Sequence, residues 1–270
     1  MKYEKIFMGS YNLHLINTDK FKTTTIEVNF RSKLNDNNTI RNLLKMVLLD
    51  SNNNHKTERE LVKATENLYD LKLISSTNRI GTNSNIAFKT RFLDEKYTEE
   101  GMNEESILFL LDIIFNPNIK DNSFDEDVVN KNKEKLRKAI ISIKDNKLKY
   151  ALLKLFETTE NMPYSKNSYG SLEELDKIDG KVLYEYYKNM LKNDIIDVFV
   201  VGDIDNEKIK EIFRDKFKVD TFKKTYYDIL VNELPAFREA GFPDNVWLGI
   251  IANSMHKDTV FRYLQFLGEI

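Results

Sequence analysis

Asn12-Leu-His-Leu-Ile-Asn-Thr-Asp-Lys-Phe-Lys-Thr-Thr-Thr-Ile-Glu-Val-Asn-Phe30 is the stretch in which the fold first becomes legible. Thr23 to Phe30 alternates small, apolar and polar residues in period two, as a strand with one buried face does. Asn12 to Ile16 also alternates, with His14 inside it, and runs into the turn-forming cluster Asn17-Thr-Asp-Lys20. The pair predicts a hairpin-like opening. The period then changes: Ile40 to Leu49 sets Leu43, Leu44, Met46, Val47 and Leu48 at helical spacing, and Ser51-Asn-Asn-Asn54 stops the helix.

Thr57 and Glu60 form a capping box ahead of a second helix whose apolar positions are Leu61, Ala64, Leu68 and Tyr69. Lys72 to Arg79 and Asn85 to Phe92, separated by Gly81-Thr-Asn, read as adjacent antiparallel strands. The remainder up to residue 192 reads as helical. Asn103 to Phe115 closes before Pro117. Ser123 and Glu126 announce a long run through Leu136, Ile140 and Leu148 to Leu155, and Ser171 and Glu174 repeat the signal before Leu183 to Leu191. Ile195 to Val201 is a short strand, followed by Gly202-Asp-Ile-Asp205 and a helix from Glu207 to Phe217. Strands and helices come in blocks and do not alternate, so the fold class is α+β. From Lys218 the pattern loosens. A strand-like run Val246 to Ala252 and a helix-like run Thr259 to Ile270, apolar nearly all round, predict a separate tail that acts as a contact surface.

The 270 residues suffice for a real core. With Lys+Arg 41 against Asp+Glu 43 the net charge is -2, which provides no field to draw the chain to nucleic acid or an anionic membrane. There is no Cys, which removes disulfides and thiolate chemistry and fits a reducing compartment. The first residues lack a secretory apolar core, and Ile107 to Phe115 and Ile195 to Val201 are too short to span a bilayer. The expected location is the cytoplasm.

Little in the chain announces chemistry. The glycines stand in no phosphate-loop spacing and no Gly-x-Ser-x-Gly elbow occurs. Asp203 and Asp205 lie between a strand and a helix, where Asp205 reads as the helix cap. His14 reads as a half-buried or surface histidine, and His55, in an Asn-rich turn, and His256 as solvated. None has ligand spacing to a second imidazole. The lysines of Asn130 to Lys138, interleaved with Glu134, read as a solvated helix face, and Tyr184, Tyr186 and Tyr187 as core and rim aromatics.

The order of elements, with Asn12 to Phe30, Glu66-Asn-Leu-Tyr69, Asp94-Glu-Lys-Tyr97, Phe115-Asn-Pro-Asn118, Asn146-Lys-Leu-Lys-Tyr-Ala151 and Val200-Val-Gly-Asp-Ile204, resembles the insulinase/pitrilysin-like (inverzincin) zinc metallopeptidases. The likeness runs from about residue 5 to about residue 220. Within that family the chain is most similar to the non-catalytic subunit of a Gram-positive pair associated with the aminopentanol modification of elongation factor P. The resemblance implies a half-unit: a curved, mostly antiparallel sheet covered by helices on one face, in residues 1–220, with 221–270 an unassigned strand-plus-helix tail.

In active members the first helix carries His-x-x-Glu-His, two zinc ligands and a general base, and a later Glu completes the site. Aligned to that motif, Asn42 and Met46 stand at the two His positions and Lys45 at the base, and the third-ligand position falls near Lys138 or Ala139. An amide and a thioether are poor zinc ligands, and an ammonium repels the metal. The resemblance therefore implies no metal, no cofactor and no catalytic residue here. It implies instead an inactive subunit or chamber wall for a related catalytic zinc metallopeptidase, or a self-dimer, with a peptide or protein as target. The alternatives are a stand-alone peptide- or protein-binding domain, or a shortened gene product.

Overall fold

The computed structural model describes residues 2–34, 37–81, 83–158, 165 and 167–217. The expected strand Val246 to Ala252, the helix Thr259 to Ile270 and His256 lie outside the described residues.

Six strands form one sheet in the order β1-β2-β8-β3-β5-β4. They are β1 (Lys2–Phe7), β2 (Asn12–Asn17), β3 (Thr23–Lys33), β4 (Lys72–Ile80), β5 (Asn83–Leu93) and β8 (Ile195–Gly202). Every pairing is antiparallel except β2 with β8, which is parallel. The expected mostly antiparallel α+β half-unit is therefore what forms. The hairpin-like opening is not: β8 inserts between β2 and β3, which do not pair, and β2 pairs instead with β1. Local alternation identifies strands but carries no information on a partner that arrives much later in the chain. The edge strand β1 was missed because its sequence, Lys-Tyr-Glu-Lys-Ile-Phe, mixes charge and apolar residues and is largely exposed.

The helices are α1 (Asn38–Leu48), α2 (Glu58–Asn67), α3 (Met102–Phe115), α4 (Glu126–Ser142), α5 (Lys147–Glu157), α6 (Leu172–Asp176), α7 (Gly180–Asn193) and α8 (Asn206–Lys216). A two-stranded hairpin, β6 (Ile119–Lys120) with β7 (Ser123–Phe124), interrupts what the sequence predicted as all-helical. It displaces the expected cap: Asp125, not Ser123, accepts from the Asp127 and Val128 amides at the start of α4. The long run also breaks, at a 3-10 turn over Ile143–Asp145, and Asn146 caps α5 afresh. Ser171 caps only the short α6, while α7 has its own cap, Asp179. The capping box at Thr57 and the cap at Asp205 stand as expected.

Period-two alternation places Ile26, Val28 and Phe30 of β3 in register with Val200, Val198 and Ile196 of β8, and Phe88 and Ile86 of β5 opposite Val28 and Phe30. All are buried, on the face that α1, α3 and α7 cover. Full burial of each such side chain contributes roughly 1.5–3 kcal/mol, so this layer is the main source of stability.

One charged residue sits inside that layer. Arg41 of α1 is 0% exposed. Its guanidinium donates to Asp194 Oδ2 (2.8 Å), Tyr186 Oη (3.0 Å), Ser32 Oγ (2.9 Å) and the Phe30 carbonyl (2.7 Å). Burial alone would lower its pKa, but Asp194 and Tyr186 outweigh that and raise it. The ion pair thus locks α1 to β3 and to the α7–β8 junction. Arg41→Met takes the Arg41 charge away from the buried Asp194, so urea unfolding should show a loss of about 3–5 kcal/mol.

Candidate functional site

The three positions that the sequence aligns with His-x-x-Glu-His, Asn42, Lys45 and Met46, lie on α1, the helix that carries Arg41. Lys45 follows Arg41 by four residues, so the two cations occupy successive turns of the helix. Beyond Asn42, Lys45 and Met46 opens a cavity of about 600 Å³, closed by the edge strand β4 (Ser75, Thr77, Arg79) and by Leu136, Ala139 and Ile140 of α4. The register puts Ser75 and Thr77 opposite Phe88 and Ile86, on the helix-covered face of the sheet. Two elements far apart in sequence thus meet α1 there.

A one-way chain of hydrogen bonds fills the motif positions. Lys45 Nζ donates to Thr77 Oγ1 (3.2 Å), which donates to Asn42 Oδ1 (2.5 Å). The Asn42 amide then donates to the Asn38 carbonyl (2.9 Å) and to the Ser168 carbonyl (2.9 Å). Both protons of the buried Asn42 amide and one of its oxygen's two lone pairs are thus committed. Ser75 Oγ reaches the Lys45 carbonyl (3.4 Å), tying β4 to α1 a second time. The loop that supplies the Ser168 carbonyl is drawn close by Gly170, whose φ of 94° and closeness to Thr39 leave no room for a Cβ.

Met46 is partly buried and packs against the core, as a stripe residue does. Lys138 is exposed, and Ala139 lends the cavity a methyl group and no oxygen. The aligned positions therefore come together in space as the resemblance implied, but they bring donors and carbon to the place where a metal needs lone pairs. Among the described residues no group of three His, Asp or Glu could hold a metal ion.

The histidines are placed elsewhere, and one differs from expectation. His14 is buried, 1% exposed, not half-buried or at the surface. Its Nε2 faces Asp197 Oδ1 (3.3 Å), the Tyr3 hydroxyl meets Nδ1 (2.8 Å), and its ring stacks on Phe199 with centroids 4.3 Å apart. Asp197 also accepts from Asn12 (2.9 Å) and from Arg31. Burial pushes the Asp197 carboxyl up, but the His14 bond, the Arg31 charge and the Asn12 amide together hold it below the usual carboxylate range. His55 is partly buried rather than solvated: its ring meets Phe109 edge-on and Nδ1 lies 3.2 Å from Asn52 Oδ1.

The lysines of α4 are not simply solvated. Lys131 pairs with the buried Asp50 (2.9 Å) and with Glu58 (2.8 Å), Lys135 adds a longer contact to Asp50 (3.5 Å), and Lys133 donates to the Ile178 carbonyl (2.7 Å). Tyr187 is core, as expected, its hydroxyl donating to the Ile114 carbonyl (2.8 Å). Sequence reasoning missed Arg41 and Thr77. A signal existed for Arg41, which sits three and seven residues before Leu44 and Leu48 on the buried side of the helix. None existed for Thr77, which reaches Asn42 only through tertiary structure.

No family model matches the chain. Over 216 residues it is 28% identical to a Bacillus subtilis (strain 168) protein named "probable inactive metalloprotease YmfF", across 78% of this chain and 51% of that protein. A conserved protein from Enterococcus faecalis is similar in structure, with a TM-score of 0.79 and 25% identity, covering 83% of this chain and 54% of its own. A peptidase M16 inactive domain from Pseudomonas fluorescens shares the fold with a TM-score of 0.66 at 13% identity, over 80% of this chain and 50% of its own. The chain spans about half the length of the relatives it matches. These likenesses bear out the resemblance: the described residues share the fold of an M16 peptidase domain, and the chain is similar in sequence to a relative named as a probable inactive metalloprotease.

Lys45 gives the site a measurable signature. Burial lowers its pKa from the ordinary lysine value of 10.5. Between the lowered folded value and 10.5 the unfolded chain binds the proton and the folded chain does not, so stability rises with pH in that window. Below it, Lys45 is charged in both states and its burial costs the folded form in full. Wild-type protein should therefore gain stability relative to Lys45→Met as pH rises toward 10.5, read from paired urea melts across that range.

Proposed function

We propose that this insulinase-like half-unit is a non-catalytic subunit, a wall of a peptide-holding chamber completed by a related zinc metallopeptidase that retains His-x-x-Glu-His. The observation that carries the reading is the state of α1: the scaffold that would aim two imidazoles and a carboxylate at a metal is intact, while Asn42, Lys45 and Met46 are tied into it as donors and packing groups. A chain that had only lost an active site would not need an internally bonded Asn42–Thr77–Lys45 network at that position.

Pairing is supported by the sequence resemblance, since active members of that family close two such chains or halves around a peptide-holding chamber. The partner is a catalytic relative or a second copy of this chain, and the target is a peptide or protein. The association with elongation factor P modification rests on the sequence resemblance alone. No helix among the described residues is long and apolar enough to cross a membrane. The cytoplasmic placement is supported by a cysteine-free sequence.

Co-expression of the full tagged chain with a relative bearing His-x-x-Glu-His tests this. The expected result is stable co-purification through size exclusion, with zinc and peptidase activity both belonging to the partner. Elution of this chain alone would favour a stand-alone binding domain. Stoichiometric zinc on the isolated chain that depends on Asn42, Lys45 or Met46 would overturn the non-catalytic reading.

A further inference from the structure

The cations of this protein are paired with carboxylates almost wherever they approach the core. Arg41 meets Asp194, Lys131 meets Asp50 and Glu58, Lys208 meets Glu95, and Lys210 meets Glu4. Lys45 is different. It is partly buried at the cavity wall, and among the described residues its hydrogen-bond partner is the neutral Thr77 hydroxyl. An ammonium carries three protons, so two remain for the cavity.

The direction of the hydrogen-bond chain fixes what the cavity can accept. Thr77 spends its proton on Asn42, and Asn42 spends both of its own on backbone carbonyls, so the protons the network presents to a ligand are those of Lys45. Arg79, two residues after Thr77 on β4, also lines the cavity, its guanidinium 4.5 Å over the Phe156 ring. Among the described residues lining the cavity none is Asp or Glu, and Leu136, Ile140 and Leu153 give it apolar walls. Its volume of about 600 Å³ suits a ligand of a few peptide residues. Burial disfavours the Lys45 charge, and the cause is desolvation.

We propose that the cavity between α1, β4 and α4 binds a peptide carboxylate, held by the Lys45 ammonium at the position where a catalytic relative would carry its metal. The ligand's negative charge supplies a counter-ion that none of the described lining residues supplies, and its neighbouring side chains lie against the apolar wall. The carboxylate is that of a peptide C-terminus or of an acidic side chain, and both make the same charge-assisted bond. The site is complete within one chain, so the inference stands apart from the pairing proposed above and survives if no partner co-purifies.

Calorimetric titration of the full chain with three acetylated tetrapeptides tests it: one with a free C-terminal carboxylate, the same peptide amidated, and an amidated peptide with one internal glutamate. The free acid should bind roughly tenfold to a hundredfold more tightly than its amide, the range for a hydrogen bond to a charged group. The glutamate peptide identifies the source: affinity equal to the free acid assigns acidic side chains as well, and affinity as weak as the plain amide assigns the C-terminus. Lys45→Met should erase the difference while its thermal melt stays at or above that of wild type. Equal affinity of free acid and amide for wild-type protein, no binding by any of the three, or an unchanged difference in Lys45→Met would overturn the proposal. The wild-type comparison decides the matter even if the variant folds poorly.

Discussion

The buried ion pair between Arg41 and Asp194 is the constraint that orders the rest of the structure. A guanidinium taken fully out of water is tolerated only where its charge and its protons find partners. Those partners come from β3, β5 and the segment between α7 and β8. Helix α1 can therefore lie on the sheet in one rotation only. That rotation carries Leu44 and Leu48 inward and sets Asn42, Lys45 and Met46 toward the cavity. The same helix thus bears one cation paired with Asp194 and, one turn later, one whose partner among the described residues is the neutral Thr77 hydroxyl.

The residues at the aligned motif positions fit a metal poorly. Zinc needs lone pairs converging on a point, with neighbours that orient them. Here the convergence survives, because α1, β4 and α4 still meet, but the polarity is reversed. Every hydrogen bond runs outward from the Lys45 ammonium through Thr77 and Asn42 to backbone carbonyls.

Much of this was legible in the sequence where the deciding interactions are local. The β4–β5 pair, α1, α3 and the caps at Thr57 and Asp205 depend on residues a few positions apart. The failures share one physical cause. The insertion of β8 beside β2, the burial of His14 against Asp197 and the Thr77 bond to Asn42 all join segments that no local pattern connects. The break between α4 and α5 was hidden for a different reason, since apolar residues keep helical spacing on both sides of Asn146 and only its side-chain bond to the Lys149 amide marks the new start. For the candidate site, sequence chemistry was enough to show that Asn42, Lys45 and Met46 make a poor ligand set. It could not show that they form a network with a direction.

Anomalous diffraction from crystals of the full chain grown with millimolar zinc tests the central claim most directly. The account predicts no zinc peak among Asn42, Lys45 and Met46, with Lys45 Nζ still on the Thr77 hydroxyl. A zinc ion held by two or more of those three side chains would contradict it.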